Sequence, residues 1–218
     1  MNILITGDIH AKFNRLNALI NKYKNKLDLV ICCGDFGYWP RFDNDHEKIK
    51  THGVKILWCD GNHEDHWSLK KLDDNEIAKN VFYMPRGSTY ELEDGRTILF
   101  MGGADSIDKN NRKLGVDWFP EETISYSDMM DLPEGKIDIF ITHTCPVEIH
   151  PIMLPYYAGK NIEPSNHALS ELWKIYKPDL WFFGHWHQYK EGKLGNTQWY
   201  ALNSTESSNR WWMWMPSK

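Results

Sequence analysis

A chain of 218 residues that is 41% hydrophobic can bury one sizeable core, and nothing in it requires a second, so a single domain over 1–218 is predicted. A net charge of −5 excludes the broad basic surface that grips nucleic acid by neutralising many phosphates. Cys32, Cys33, Cys59 and Cys145 have neither paired zinc-site spacing nor the density of a disulfide scaffold, so they read as reduced, packed thiols.

In chain order, one theme repeats: a short apolar strand ends in a turn that carries a metal-binding type of residue. Ile3 to Thr6 runs into Gly7-Asp8-Ile9-His10, with no secretory signal pattern before it, and Phe13, Leu16, Leu19, Ile20 and Tyr23 then recur at helical spacing. Leu27 to Cys33 is nearly continuous in apolar residues, as a strand buried on both faces should be, and stops at Gly34-Asp35. Val54 to Cys59 precedes Gly61-Asn62-His63-Glu64. Val81 to Met84, Thr89 to Leu92 and Thr97 to Met101 read as further strands, the last two joined by a turn at Glu93 to Arg96. A long polar stretch, Ala104 to Glu122, follows; loops of that length in a compact domain are functional or disordered. Ile137 to Ile141 leads to Thr142-His143, and Leu180 to Phe183 leads to Gly184-His185-Trp186-His187. Between them a helix is predicted from Ser165, as N-cap, to Tyr176. After His187, Gln198 to Leu202 and Arg210 to Met215 are expected to form a hairpin. No apolar run approaches the roughly 20 residues needed to span a bilayer, and a cytoplasmic protein is expected.

All five polar blocks fall at the carboxyl ends of predicted strands. In open α/β sheets that edge is where ligands bind, because loops converge there while the sheet fixes their positions. Asp, Asn and His supply hard oxygen and borderline nitrogen donors, a set suited to divalent transition metals rather than to calcium or to a thiolate-bound ion. Two such ions can activate water for hydrolysis.

The ordered series Asp-x-His, Gly-Asp, Gly-Asn-His-Glu, His and Gly-His-x-His, from Asp8 to His187, resembles the calcineurin-like metallophosphoesterase superfamily. The resemblance implies an α/β fold, a four-layer αββα sandwich of two mixed β-sheets flanked by helices. It implies one metal held by Asp8, His10, Asp35 and His187, and a second held by Asp35, Asn62, His143 and His185, with Asp35 bridging. It further implies a dinuclear phosphoesterase acting on a phosphomonoester or phosphodiester through a metal-bridging hydroxide. The cofactors would be two divalent transition-metal ions, manganese first, with iron, zinc, nickel or cobalt as alternatives. His63 stands beside a ligand without being one in the family pattern, and is assigned as the general acid that protonates the leaving alkoxide.

The protein Ser/Thr phosphatase branch follows its second block with Val-Asp-Arg-Gly, whereas Asp35 here is followed by Phe36-Gly37-Tyr38-Trp39. Asp28 to Phe36 and Ile137 to His143 look instead like the matching stretches of RNA lariat debranching enzymes, which points to a nucleotide or short nucleic acid as substrate. Arg86 and Arg112 are candidates to grip a phosphate oxygen, and Trp118 to stack a base. His46, His52, His150 and His167 read as solvated or satisfied histidines, His66 as either pocket-lining or surface, and Glu64 as a turn-fixing residue. Trp211, Trp212 and Trp214, if exposed, would indicate a homodimer. A nuclease or nucleotide phosphodiesterase, and a non-catalytic interaction module of the same fold, stand as alternatives.

Overall fold

The computed structural model describes residues 1–157, 162–207 and 209–217. Its first half builds β1 (Ile3–Thr6), α1 (Phe13–Tyr23), β2 (Leu29–Cys32), β3 (Lys55–Trp58), α2 (His66–Leu69), β4 (Glu76–Ala78) and β5 (Val81–Tyr83). β6 (Thr89–Glu91), β7 (Thr97–Met101), β8 (Ile139–Thr142), α3 (His150–Met153), α4 (Pro164–Tyr176), β9 (Leu180–Phe183), β10 (Lys190–Leu194), β11 (Thr197–Ala201) and β12 (Trp212–Trp214) follow. The strands form two mixed six-stranded sheets, ordered β12-β1-β2-β3-β5-β4 and β10-β11-β9-β8-β7-β6.

Both faces of each sheet are buried, and the alternation of side chains along the strands sorts the residues into three apolar layers. Leu4, Val30, Ile56 and Trp58 point outward onto Phe13, Leu16, Leu19 and Ile20 of α1. Ile3, Ile5, Leu29, Ile31 and Leu57 point the other way, against Ile98, Phe100, Ile139 and Ile141 of the second sheet. Leu99, Phe140, Trp181 and Phe183 complete the pattern against Leu169 and Leu172 of α4. The result is the αββα order that the resemblance implies. All four cysteines are free and buried. Among the described residues, no helix is long and apolar enough to cross a membrane.

Several local expectations change. β11 pairs with β10 as a hairpin, but β12 crosses to the other sheet and runs antiparallel to β1, with Leu4 opposite Trp214. Burial decides this: Trp211 is 5% exposed, and Trp212 and Trp214 pack edge-on to Tyr23 at 5.5 and 5.3 Å. Trp211 therefore belongs to the chain's own core, and Trp212 and Trp214 pack, partly buried, against it. Helix α4 begins at Pro164, one residue before the expected cap, with Glu163 as N-cap donating its backbone N–H to Asn166 Oδ1 (2.9 Å). Pro suits the first helical position because its missing N–H would have had no partner there. Of the histidines outside the polar blocks, His46 and His150 are buried, while His52 and His167 are exposed.

Trp181 is fully buried, and its indole N–H donates to Thr142 Oγ1 (2.8 Å) in the strand that carries the fourth polar block. Replacing Trp181 with Ala should cost about 3–5 kcal/mol of unfolding free energy by urea titration. A loss below about 1 kcal/mol would show that this layer does not hold the second sheet together.

Candidate metal centre

Strands β1, β2 and β3 lie parallel in one sheet, β7, β8 and β9 parallel in the other, and their carboxyl ends meet at one seam. The seam is tight enough to demand glycine. A Cβ on Gly184 would lie 1.9 Å from Asp8 Oδ1, and one on Gly61 would lie 2.1 Å from Asp35 Oδ1. Four of the polar-block residues also adopt left-handed backbone that costs a non-glycine residue energy: His10 (φ 47°), Asp35 (47°), His185 (66°) and His187 (48°). The turns are held in these shapes by the surrounding structure. Glu64, fully buried, accepts the amides of Gly37 (3.0 Å) and Gly61 (2.7 Å) and ties two of the turns together.

The side chains converge in two groups that share Asp35. In the first, donor atoms of Asp8, His10, Asp35 and His187 all lie within 4.8 Å of one another. His187 Nε2 is 3.0 Å from Asp8 Oδ2, His10 Nε2 is 3.0 Å from His187 Nε2, and His10 Nε2 is 3.7 Å from Asp35 Oδ2. In the second, His143 Nε2 lies 3.2 Å from Asp35 Oδ1 and 3.2 Å from Asn62 Oδ1, and His185 Nδ1 lies 3.0 Å from the same Asn62 oxygen. His143 Nδ1 donates to Cys33 O (2.8 Å), which fixes the ring so that Nε2 faces the cluster. The structure thus gathers all seven residues that the sequence pattern nominates as ligands.

Electrostatics within the cluster explain why this arrangement suits cations. Asp8 and Asp35 are 0% and 1% exposed, and the charged partners found for them among the described residues are imidazoles. Burial would raise the Asp35 carboxyl, but His143, His63 and His10 together hold it well below the usual carboxylate range. Burial pulls the His143 ring down, yet Asp35 beside it pushes the ring up to about 10. His185 is held well below its ordinary value, first by burial and then by His143. Two buried carboxylates, one amide oxygen and four imidazoles at this spacing form a donor set that fits divalent transition metals.

A cleft of about 410 Å³ opens over the second group. Its walls are Ile107, Leu154 and Trp186 on the apolar side and His63, Asp108 and Arg112 on the polar side. His63 donates its backbone N–H to Asp35 Oδ1 (2.8 Å), which places its ring at the cleft. Arg112 Nη2 lies 3.1 Å from His63 Nε2 and 2.7 Å from Asp108 Oδ1. Arg112 therefore lines the cleft beside His63.

Arg86 does not. Its Nε donates to Asp60 Oδ2, Nη1 to Thr123 O and Asp128 Oδ2, and Nη2 to Asp60 Oδ2 and the Glu121 and Glu122 carbonyls, so all five N–H donors are taken. It clamps the turn before Asn62 instead of facing the cleft. Trp118 is likewise turned away, with its indole N–H donating to Glu122 Oε1 (3.2 Å). His66 is buried behind the site, its Nε2–H donating to Gly61 O (3.1 Å). Ser106 and Glu122, which touch Asn62 directly and through one hydroxyl, were not legible in the sequence because a lone Ser and a lone Glu in a polar loop carry no pattern.

Comparison with known proteins defines the class. The family model for calcineurin-like phosphoesterases matches residues 1–189, and the chain belongs to that family of metal-dependent phosphoester hydrolases. Among curated proteins it is 26% identical over 236 residues to a lariat debranching enzyme of Drosophila pseudoobscura pseudoobscura, covering 86% of this chain and 42% of that one. It is 27% identical over 159 residues to human CWF19-like protein 1, covering 67% of this chain and 28% of that one. The chain thus spans less than half the length of these relatives. In fold it is similar to phosphopantetheinyl hydrolase of Mycobacterium tuberculosis, with a TM-score of 0.59 at 13% identity, covering 98% of this chain and 95% of that one.

The burial of His66 has a measurable consequence. Burial is the main cause that holds its ring down to about 4, against an ordinary 6.5. Between those values the unfolded chain takes up a proton that the folded chain refuses, so stability is lost as pH falls from 6.5 towards 4, at up to about 1.4 kcal/mol per pH unit. In metal-stripped protein, wild type should lose more unfolding free energy than His66→Gln across that window. Parallel pH profiles for the two would contradict the assignment.

Proposed function

We propose that the chain is a dinuclear metal-dependent phosphoesterase, with one cation held by Asp8, His10, Asp35 and His187 and the other by Asp35, Asn62, His143 and His185. The observation that carries this reading is that two donor groups share one buried carboxylate. Manganese is the first candidate, with iron, zinc, nickel and cobalt also suited to the mixed donor set. Bound divalent cations supply Lewis acidity and lower the pKa of water at such a site.

The chain's own residues do the rest. Asp35 offers an oxygen to each group, Oδ1 beside His143 and Oδ2 beside His10. Arg112, aimed into the cleft by Asp108, offers its planar fork to a non-bridging phosphate oxygen. A guanidinium only donates, so His63 Nε2 accepts from Arg112 in this arrangement. A substrate that draws Arg112 onto its phosphate frees that nitrogen to take a proton from solvent water in the open cleft, and His63 then delivers that proton to the leaving alkoxide. Ile107, Leu154 and Trp186 form an apolar wall that offers a surface to a nonpolar or planar leaving group.

Both a phosphomonoester and a phosphodiester fit this scheme. Likeness to lariat debranching enzymes over 86% of the chain favours a phosphodiester of a nucleotide or short nucleic acid. The net charge of −5 argues for short substrates over a long duplex. Four buried free thiols suit a reducing compartment, and we place the protein in the cytoplasm.

With Mn²⁺ present, hydrolysis of a bis-aryl phosphate should stop on chelation and return on adding metal, and Asp35→Asn should lower kcat by more than about a hundredfold. Full turnover in chelator would refute a metal-dependent reaction. His63→Ala should slow alkyl leaving groups by about 10²–10⁴-fold and nitrophenyl leaving groups far less, because only the former need a proton. An equal loss on both would remove His63 from the role of acid.

A further inference from the structure

Asn62 differs from the other residues of the metal cluster in having two ends of nearly equal size and opposite hydrogen-bonding character, an amide oxygen and an amide NH2. Only the oxygen can face a cation, so something must prevent the half-turn that would exchange them. The structure shows what does. Asn62 Nδ2 donates to Ser106 Oγ (3.0 Å), and Ser106 Oγ donates to Glu122 Oε2 (2.9 Å). Glu122 Oε1 accepts the Ser106 backbone N–H (2.6 Å) and the Trp118 indole N–H (3.2 Å). Asn62, Ser106 and Glu122 are 3%, 2% and 1% exposed, so water has little access to replace any link.

With Glu122 ionised, the direction of this relay is forced. An ionised carboxylate accepts and never donates, so the single Ser106 hydroxyl proton goes to Glu122. Only lone pairs of Ser106 Oγ are then left for Asn62, which must present its NH2, and Oδ1 is turned towards His143 Nε2 and His185 Nδ1 at 3.2 and 3.0 Å. We propose that Ser106 and Glu122 are positioning residues that hold the Asn62 carbonyl towards the second cation. This rests on the two-cation reading above.

The same carboxylate closes the neck of the loop that carries Asp108 and Arg112. Ser106 stands at the start of that loop and Glu122 at its end, and a second bridge beside them, from Thr123 Oγ1 to Asp105 Oδ1 (2.7 Å), pins the base. The loop that reaches the substrate phosphate is thereby tied to the residue that faces the second cation. Displacing the neck would disturb both at once.

Glu122→Gln is the incisive variant, since it keeps size and shape while reversing the hydrogen-bond polarity. Two N–H donors converge on Oε1, so the glutamine oxygen stays there and its NH2 takes the place of Oε2. That NH2 donates to Ser106 Oγ, which sends the hydroxyl proton towards Asn62 and favours the flipped amide. The experiment is calorimetric titration of the metal-stripped full chain with Mn²⁺ at pH 8, above the value of about 7 to which burial lifts Glu122. Wild type should take up two ions per chain. Glu122→Gln and Ser106→Ala should bind the first ion as wild type does and the second about 10- to 100-fold more weakly. Ser106→Thr, which keeps the hydroxyl, should retain both affinities. Unchanged second-ion binding in Glu122→Gln or in Ser106→Ala would overturn the relay. If Glu122→Gln does not fold, Ser106→Ala against Ser106→Thr makes the same comparison. Wild type taking up fewer than two ions would instead overturn the two-cation reading on which the relay depends.

Discussion

Two carboxylates, Asp8 and Asp35, are sealed within 4.8 Å of each other at the seam between two sheets, and the rest of the molecule is arranged around that placement. Buried like charges repel and lack water to solvate them, so they persist only where positive or strongly donating groups surround them. This chain meets them with imidazoles and backbone amides: His185 N–H reaches Asp8, His63 N–H reaches Asp35, and His10, His143 and His187 close the ring. A cluster of donors that favours positive charge so strongly is a natural seat for divalent cations.

Holding the carboxylates there requires a backbone that ordinary turns do not provide. Left-handed φ at His10, Asp35, His185 and His187 is strain distributed over the very residues that face the centre. The three apolar layers resist it by fixing the strand ends, and Glu64 resists it locally by gathering two turn amides. Arg86 does comparable work on the other side of the Asn62 turn, where its contact with Asp60 holds that buried carboxyl below its usual range, against the rise that burial alone would cause. Stability and site geometry are the same problem in this fold.

The substrate side is built differently. Ile107, Asp108 and Arg112 belong to one long loop, anchored at its neck by Glu122 and Thr123 rather than by a sheet. Loops on a rigid scaffold vary more readily than strand ends, which is how one metal centre can serve different phosphoesters. The departure at Phe36-Gly37-Tyr38-Trp39 belongs to the same division. Phe36 stacks on Trp58 at 4.7 Å and so serves the core.

Read alone, the sequence determined the strands that end in polar blocks and the seven metal-type residues, and the two-sheet class came through the family resemblance that those blocks carry. Those features are local or repetitive: a strand announces itself by consecutive apolar residues, and each block lies within a few positions of its strand end. What only the tertiary structure decided was everything that depends on contacts between distant segments. Arg86 and Arg112 look alike in sequence, yet Arg86 is saturated by Asp60, Asp128 and three carbonyls while Arg112 reaches His63 across 49 positions. The C-terminal tryptophans read as part of a hairpin until β12 is seen paired with β1, more than 200 residues away, where Trp212 and Trp214 pack against Tyr23. Ser106 and Glu122 gain their roles only when the loop folds back to bring a hydroxyl against Asn62. Side-chain identity sets which donors and acceptors exist, whereas long-range packing sets which of them meet, and orientation at a metal centre belongs to the second.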